Sequence, residues 1–136
     1  MRNLLQISTG ALRPELIEEA AKVSDVALDE KYGYGLSTDP NSFGYKANKL
    51  SATYGLHELF YGEGQGIDDV EAIASAIHDG WSFAVYHVND PKYLTHPHKK
   101  VSRTILADRP YSELSEEEKE KDRVIARSII NCLRSH

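Results

Sequence analysis

Apolar residues along this chain recur at intervals of three and four, the spacing of helix faces, and strand-like alternation does not extend beyond the first few residues. Leu16, Ile17, Ala20, Ala21, Val23, Ala27 and Leu28 follow Pro14 in this way. They predict a first helix that opens on the proline and ends near Tyr32 to Gly35, where two glycines and then Asp39-Pro40-Asn41 break the periodicity. A second helix is expected from about Ser42 to Phe60. Gly55 weakens it by about 1 kcal/mol relative to Ala, so a division into two shorter pieces stays open. The glycines from Gly62 to Gly66 stop it in either case.

Asp68 with Glu71 three residues on has the form of a capping box. It precedes Val70, Ile73, Ala74, Ile77, Trp81 and Ala84, the stripe of a third helix. The last helix carries the strongest local signal. Ser115 and Glu118 form a second capping box, Glu116 to Glu118 place acids where the helix dipole favours them, and Ile125, Ala126, Ile129, Ile130 and Leu133 give one wide apolar face. Before the first helix stand a short apolar lead, Leu4, Leu5 and Ile7, and the punctuation Ser8-Thr9-Gly10. The expected fold class is therefore mainly α: a compact domain of about four helices with a long basic loop between the third and the last, and little or no sheet.

With 136 residues, 40% hydrophobic and 27% charged, the chain is sized for one domain spanning 1–136. It has no apolar run near the length of about 20 residues that a membrane span needs. A soluble protein of the cytoplasm, or of a host's cytoplasm if phage-encoded, is expected. The single cysteine, Cys132, excludes an internal disulfide and fits a reducing compartment. A net charge of -5 argues against binding long nucleic acid, which needs several cations to neutralise phosphates. The charge is unevenly spread. Residues 1–90 carry 14 acids and 6 bases, residues 91–110 carry 1 and 5, and residues 111–136 carry 6 and 5. The stretch from Pro91 to Pro110 is the one cationic island.

That island supplies the candidate ligand-binding residues. Lys99, Lys100, Arg103 and Arg109, with Lys92 nearby and Tyr93 and Tyr111 flanking, offer anion-pairing forks and aromatic faces of the kind that clamp phosphates and stack bases. The competing reading is a solvated loop that balances the acidic remainder. Arg109 stands just ahead of a helix start, where a guanidinium can share an anion with free N–H groups. Arg123 and Arg127 could extend such a site, against pairing with Glu120. Phe83, Tyr86 and Asn89 follow the Trp81 helix toward the island and could stack and edge-bond a base, against core packing for Phe83. No catalytic residue is assigned. Cys132 sits near the negative end of its helix, and no nucleophile elbow is present. No metal site is assigned either, because His57-Glu58 lacks a second His at Tyr61 and His96-Pro97-His98 has no partner cluster. His78, one turn from Trp81, reads as a satisfied packing residue. Gly62, Gly64 and Gly66 read as an interhelical turn rather than a phosphate cradle, since they follow a helix.

Two segments carry a family resemblance. Val70-Glu71-Ala72-Ile73-Ala74-Ser75-Ala76-Ile77-His78-Asp79-Gly80-Trp81 and Arg109-Pro110-Tyr111-Ser112-Glu113-Leu114-Ser115-Glu116-Glu117-Glu118-Lys119-Glu120-Lys121-Asp122-Arg123 resemble the two signatures of the RyR repeat, the module named from ryanodine receptors and found also in small bacterial and phage proteins. The stretch from His98 to Asp108 departs from the family pattern as a basic insertion. The resemblance implies a compact helical module that recognises nucleotide-derived signals or serves assembly. In size the chain is similar to phage sponges of the Thoeris anti-defence kind, which sequester cyclic ADP-ribose-type messengers. The expected function is capture of a small phosphate-bearing nucleotide signal, cyclic ADP-ribose-type or a cyclic oligonucleotide, without catalysis or a cofactor, in a homo-oligomer. The alternative is a scaffold domain that docks an acidic partner.

Overall fold

The computed structural model describes residues 13–63 and 69–135. The apolar lead, Ser8-Thr9-Gly10, Gly64, Gly66 and Asp68 lie outside the described residues. Among the described residues the chain forms five α-helices and no strand: α1 (Pro14–Tyr32), α2 (Phe43–Tyr61), α3 (Val70–His87), α4 (Pro97–Ala107) and α5 (Glu116–Arg134). Two 3-10 turns, Pro91–Leu94 and Tyr111–Glu113, flank α4.

The helix ends follow local chemistry. Pro14 opens α1, and Gly33 closes it at φ 69°, a left-handed conformation that costs glycine little, with its N–H donating to the Asp29 carbonyl at 2.8 Å. Ser42 caps α2, its Oγ accepting from the Tyr45 N–H at 3.1 Å. The cap of α3 is Asp69, one residue later than predicted, with Oδ1 accepting from the Ala72 N–H at 3.0 Å. Ser115 caps α5 as expected, accepting from the Glu118 N–H at 3.2 Å. The Glu118 carboxylate turns to Lys121 Nζ at 3.3 Å.

α2 runs unbroken through Gly55. The glycine is there for packing, since a β-carbon would come within 2.9 Å of Ile77 on α3. Gly80 answers from the other side, where a β-carbon would lie 2.6 Å from the Leu50 carbonyl oxygen. These two positions let α2 and α3 approach at backbone distance. Leu56, Leu59, Phe60, Ile73, Ile77 and Ile129 are wholly buried at the centre. Each contributes roughly 1.5–3 kcal/mol by leaving water. A smaller cluster, Phe43, Ala47, Ala84 and Val85, collects Leu50, Trp81, Val88 and Ala107 around it.

The expected count of about four helices and the expected long basic loop are both corrected by α4. Pro97 presets the backbone for a first helical turn, and Leu106 and Ala107 reach the two clusters. Its inward face has no fully buried residue and is completed by Arg103, whose guanidinium carbon lies 4.0 Å from the Phe43 ring centre. An apolar stripe that leans on an arginine stem has too few apolar positions to show as periodicity.

Candidate functional site

A cleft of about 670 Å³ opens between the two clusters, and all five helices contribute to its wall. α1 supplies Asp25 and Leu28, α2 supplies Ala47, Asn48 and Ser51, and α3 supplies His78 and Trp81. From α4 come Lys99, Arg103 and Leu106, and from α5 come Glu118, Lys121, Asp122 and Ile125. Its rim is the segment between α1 and α2, which includes Tyr34 and Ser37. That rim is pinned rather than free. The Gly35 N–H donates to Asp29 Oδ1 at 2.8 Å and the Ser37 N–H to Asp25 Oδ2 at 2.7 Å, while Asn48 Nδ2 donates to Asp25 Oδ1 at 3.2 Å.

Two ionisable groups sit deep in the cleft, His78 and Asp122, with side chains 4% and 13% exposed. His78 Nε2 lies 2.7 Å from the Arg109 carbonyl oxygen. A carbonyl only accepts, so Nε2 carries the proton, and in neutral His78 the lone pair on Nδ1 faces Asp122 Oδ2 at 3.8 Å. That separation is an ion-pair distance, too long for a hydrogen bond. Burial, reinforced by the negative charge of Glu118 and opposed by Lys121, pushes the Asp122 carboxyl up to about 8. Burial also works against the Lys121 ammonium, yet Glu118 and Tyr34 together hold it above the usual lysine value.

Near neutral pH Asp122 is largely protonated, and Lys99, Arg103 and Lys121 share the cleft with the carboxylates of Asp25 and Glu118; Arg103 is paired with Asp90 Oδ2 at 2.8 Å and Lys121 with Glu118 Oε1 at 3.3 Å. Trp81 adds an aromatic wall, its ring 6.1 Å from that of His78 at an interplanar angle of 25°. The arrangement offers an anionic group a cationic side, a planar group an aromatic face, and a polar edge a carboxyl group.

Of the residues predicted to bind ligand, Lys99 and Arg103 line the cleft. Arg103 is also a fixture of the fold, donating to Asp90 Oδ2 at 2.8 Å and to the Tyr93 hydroxyl at 3.0 Å. Lys100 lies on the outer side of α4 over the Tyr93 ring, 5.9 Å from its centre. Arg109 is exposed and does not line the cleft; its carbonyl oxygen holds His78 Nε2. Tyr111 is buried, its hydroxyl donating to Glu71 Oε1 at 3.0 Å, and burial together with Glu71 pushes its pKa up to about 12. Arg123 forks onto Glu71, Nε to Oε2 at 2.8 Å and Nη2 to Oε1 at 3.1 Å, and its Nη1 donates to Glu116 at 2.8 Å. Arg127 donates to Glu120 Oε2 at 2.8 Å. Phe83 stacks on His87 with ring centres 4.2 Å apart, Tyr86 is exposed, and Asn89 is exposed beyond the end of α3. The cleft thus gathers two of the ten predicted residues, by way of α4.

Sequence reasoning passed over Asp122 and Lys121 as binding residues and gave His78 a packing role. A signal for Asp122 was present. It precedes Ile125, Ala126 and Ile129 by three, four and seven residues, which puts a carboxylate on the buried face of its helix. Cys132 is half-buried, and burial and the Glu19 carboxylate push its thiol up to about 11, so it is not a ready thiolate. No helix among the described residues is long and apolar enough to cross a membrane. No known family profile, curated protein or solved structure matches the chain.

Proposed function

We propose that this protein is a binding module that captures a small phosphate-bearing nucleotide signal in the five-helix cleft and holds it without chemical change. The observation that carries this reading is the meeting of Lys99, Arg103 and Lys121 with Trp81 in one cavity. Phosphate oxygens suit the cations and a base suits the indole face. The cavity volume lies within the range of small-ligand sites, about 300–1,000 Å³. The RyR-repeat resemblance supports the same ligand class and, through it, a sponge that sequesters a messenger.

Calorimetric titration against ADP-ribose, cyclic ADP-ribose isomers and cyclic oligonucleotides tests the proposal. Binding of at least one, with the ligand recovered unaltered by mass spectrometry, is the expected outcome. Replacing Lys99 and Lys121 together by Ala is expected to weaken it by roughly two orders of magnitude, about tenfold for each charge-assisted hydrogen bond removed. No heat with any of these compounds overturns the nucleotide reading, and an altered product overturns the non-enzymatic one.

One observation favours the alternative of partner docking. Leu94, Val101 and Ile105 are 90%, 61% and 51% exposed on and before α4, in the same stretch as Lys92 and Lys100. A domain that docks an acidic partner there would lose it with added salt and with Val101→Glu, and would keep it in the Lys99 and Lys121 double variant.

A further inference from the structure

We propose that the uncommitted carboxyl of Asp122 in the cleft reads a base edge presenting a hydrogen-bond donor beside an acceptor, its O–H donating and its carbonyl oxygen accepting. This rests on the nucleotide reading above and names the part of the ligand that is recognised. One nitrogen of His78 is already committed. Its Nε2–H is fixed on the Arg109 carbonyl at 2.7 Å, so the imidazole cannot turn to offer a proton elsewhere. Its Nδ1 lies 3.8 Å from Asp122 Oδ2, beyond hydrogen-bond distance, so His78 leaves that carboxyl free.

The surroundings of Asp122 favour its neutral form. On the helix of Asp122 itself, Glu118 adds negative charge and Lys121 opposes it; from α3, Asp79 adds more negative charge. Across the cleft stand Asp25 of α1, Tyr34 of the rim, and Lys99 and Arg103 of α4. Asp25 already accepts from Ser37 and Asn48, and Arg103 already donates to Asp90. The Asp122 carboxyl is therefore pressed toward its neutral form by burial and by two acids, while Arg103, a cation facing it from α4, is engaged with Asp90.

A neutral carboxyl presents one O–H donor and one carbonyl acceptor side by side. The edge of adenine has the complementary pair, an amine beside a ring nitrogen. Because Asp122 lies beyond hydrogen-bond distance of His78, its carboxyl is not committed and can meet such an edge while the base lies along Trp81. The ionised carboxylate has no donor and leaves the ring nitrogen unanswered. Within the nucleotide class this selects ligands whose edge is free over those in which the ring nitrogen is blocked. Binding to the ionised protein takes up a proton from solvent.

The test compares ADP-ribose, cyclic ADP-ribose closed through the adenine ring nitrogen, and ribose 5-phosphate, titrated from pH 6.5 to 9.5. ADP-ribose is expected to bind at least about tenfold tighter than the closed isomer at pH 7, the worth of one buried hydrogen bond to a polar edge. Its affinity is expected to fall about tenfold per pH unit above the Asp122 midpoint, while ribose 5-phosphate shows no such fall. Asp122→Asn keeps a donor beside an acceptor and does not titrate, so it is expected to bind ADP-ribose with affinity independent of pH. Equal affinity for ADP-ribose and the closed isomer, or a pH dependence that survives in Asp122→Asn, overturns the inference and leaves the nucleotide reading in place. No binding by any of the three overturns the edge-reading role. Carbon-13 titration of the Asp122 carboxyl in the free protein tests its neutral form by itself: a midpoint in the ordinary carboxylate range overturns the inference.

Discussion

Two neighbouring residues of α5 meet opposite fates. Arg123 gathers Glu71 and Glu116 around its guanidinium, and Glu71 also accepts from the buried Tyr111. Its pKa is raised by these partners and theirs are lowered by it. Each charge there is answered, so the group holds α3, the Tyr111 turn and α5 together and has little capacity left for a ligand. Asp122 points to the other side, into the cleft, where burial and neighbouring acids act against its charge. Charges that satisfy one another describe architecture. A buried carboxyl whose ionisation the surroundings oppose, in a cavity, marks a candidate site. One helix serves both purposes because residues one apart point about 100° away from each other.

The largest expected effect tests the opposed charge directly. The folded-state pKa of Asp122, about 8, lies above its ordinary value of 3.8. Between those values the folded protein binds more protons than the unfolded chain, so this group's stabilising contribution is complete below about pH 4 and is lost as pH rises to about 8. Asp122→Asn removes that loss. It is expected to raise the unfolding free energy at pH 8 by about 2–4 kcal/mol, less than the full shift implies because the cleft admits water, and to change it little at pH 4. Urea unfolding of both proteins across that range checks it. Equal pH slopes would place Asp122 among the satisfied charges and dissolve the contrast.

The second effect comes from the paired side. Arg123→Ala leaves Glu71 and Glu116 without their common partner and is expected to lower the urea midpoint by less than Asp122→Asn raises it at pH 8, with ligand affinity unchanged. Arg123→Lys is expected to recover part of this only, because an ammonium cannot reproduce the fork onto Glu71. A loss of ligand binding comparable to that of the cleft variants would show that the Arg123 cluster belongs to the site after all.

The paired side was the more legible in the sequence. Ser115 and the acids after it fixed the start of α5, and Pro14 with Gly33 fixed both ends of α1, because caps and turns depend on a few adjacent residues. The cleft is assembled from positions far apart in sequence: Asp25, Asn48, His78, Lys99 and Asp122 come from five different helices. Nothing local announces that convergence. The basic stretch drew attention because its charge is concentrated, and two of its cations, Lys99 and Arg103, line the cleft. Its reading as a loop obscured which of its cations face inward, since only a helix separates Lys99 and Arg103, on the cleft side four residues apart, from Lys100. Asp122 was hidden for the opposite reason: within Lys121-Asp122-Arg123 it looks like one more alternating surface charge, and only its register with Ile125 and Ile129 sets it apart.

The smallest expected effect sharpens the contrast by working at the other end of the pH scale. Glu120 accepts from Arg127 and from Lys31 of α1 at 3.0 Å, and these partners, Arg127 first, bring its carboxyl down to about 2. A depressed acid stabilises the folded state above its ordinary value of 4.5, and that contribution is lost as pH falls toward 2. Arg127 is half exposed, so Arg127→Ala is expected to cost no more than about 0.5 kcal/mol at neutral pH and moderate salt. Lys31 remains on Glu120, which keeps part of the depression. The measurable sign is therefore confined to the acid limb, where the variant loses less stability than wild type between about pH 4.5 and 2. Asp122→Asn departs from wild type above pH 4, Arg127→Ala converges on it below pH 4.5. Two charged residues five positions apart on one helix would then shape opposite limbs of the stability curve, one because its charge is answered and the other because it is not.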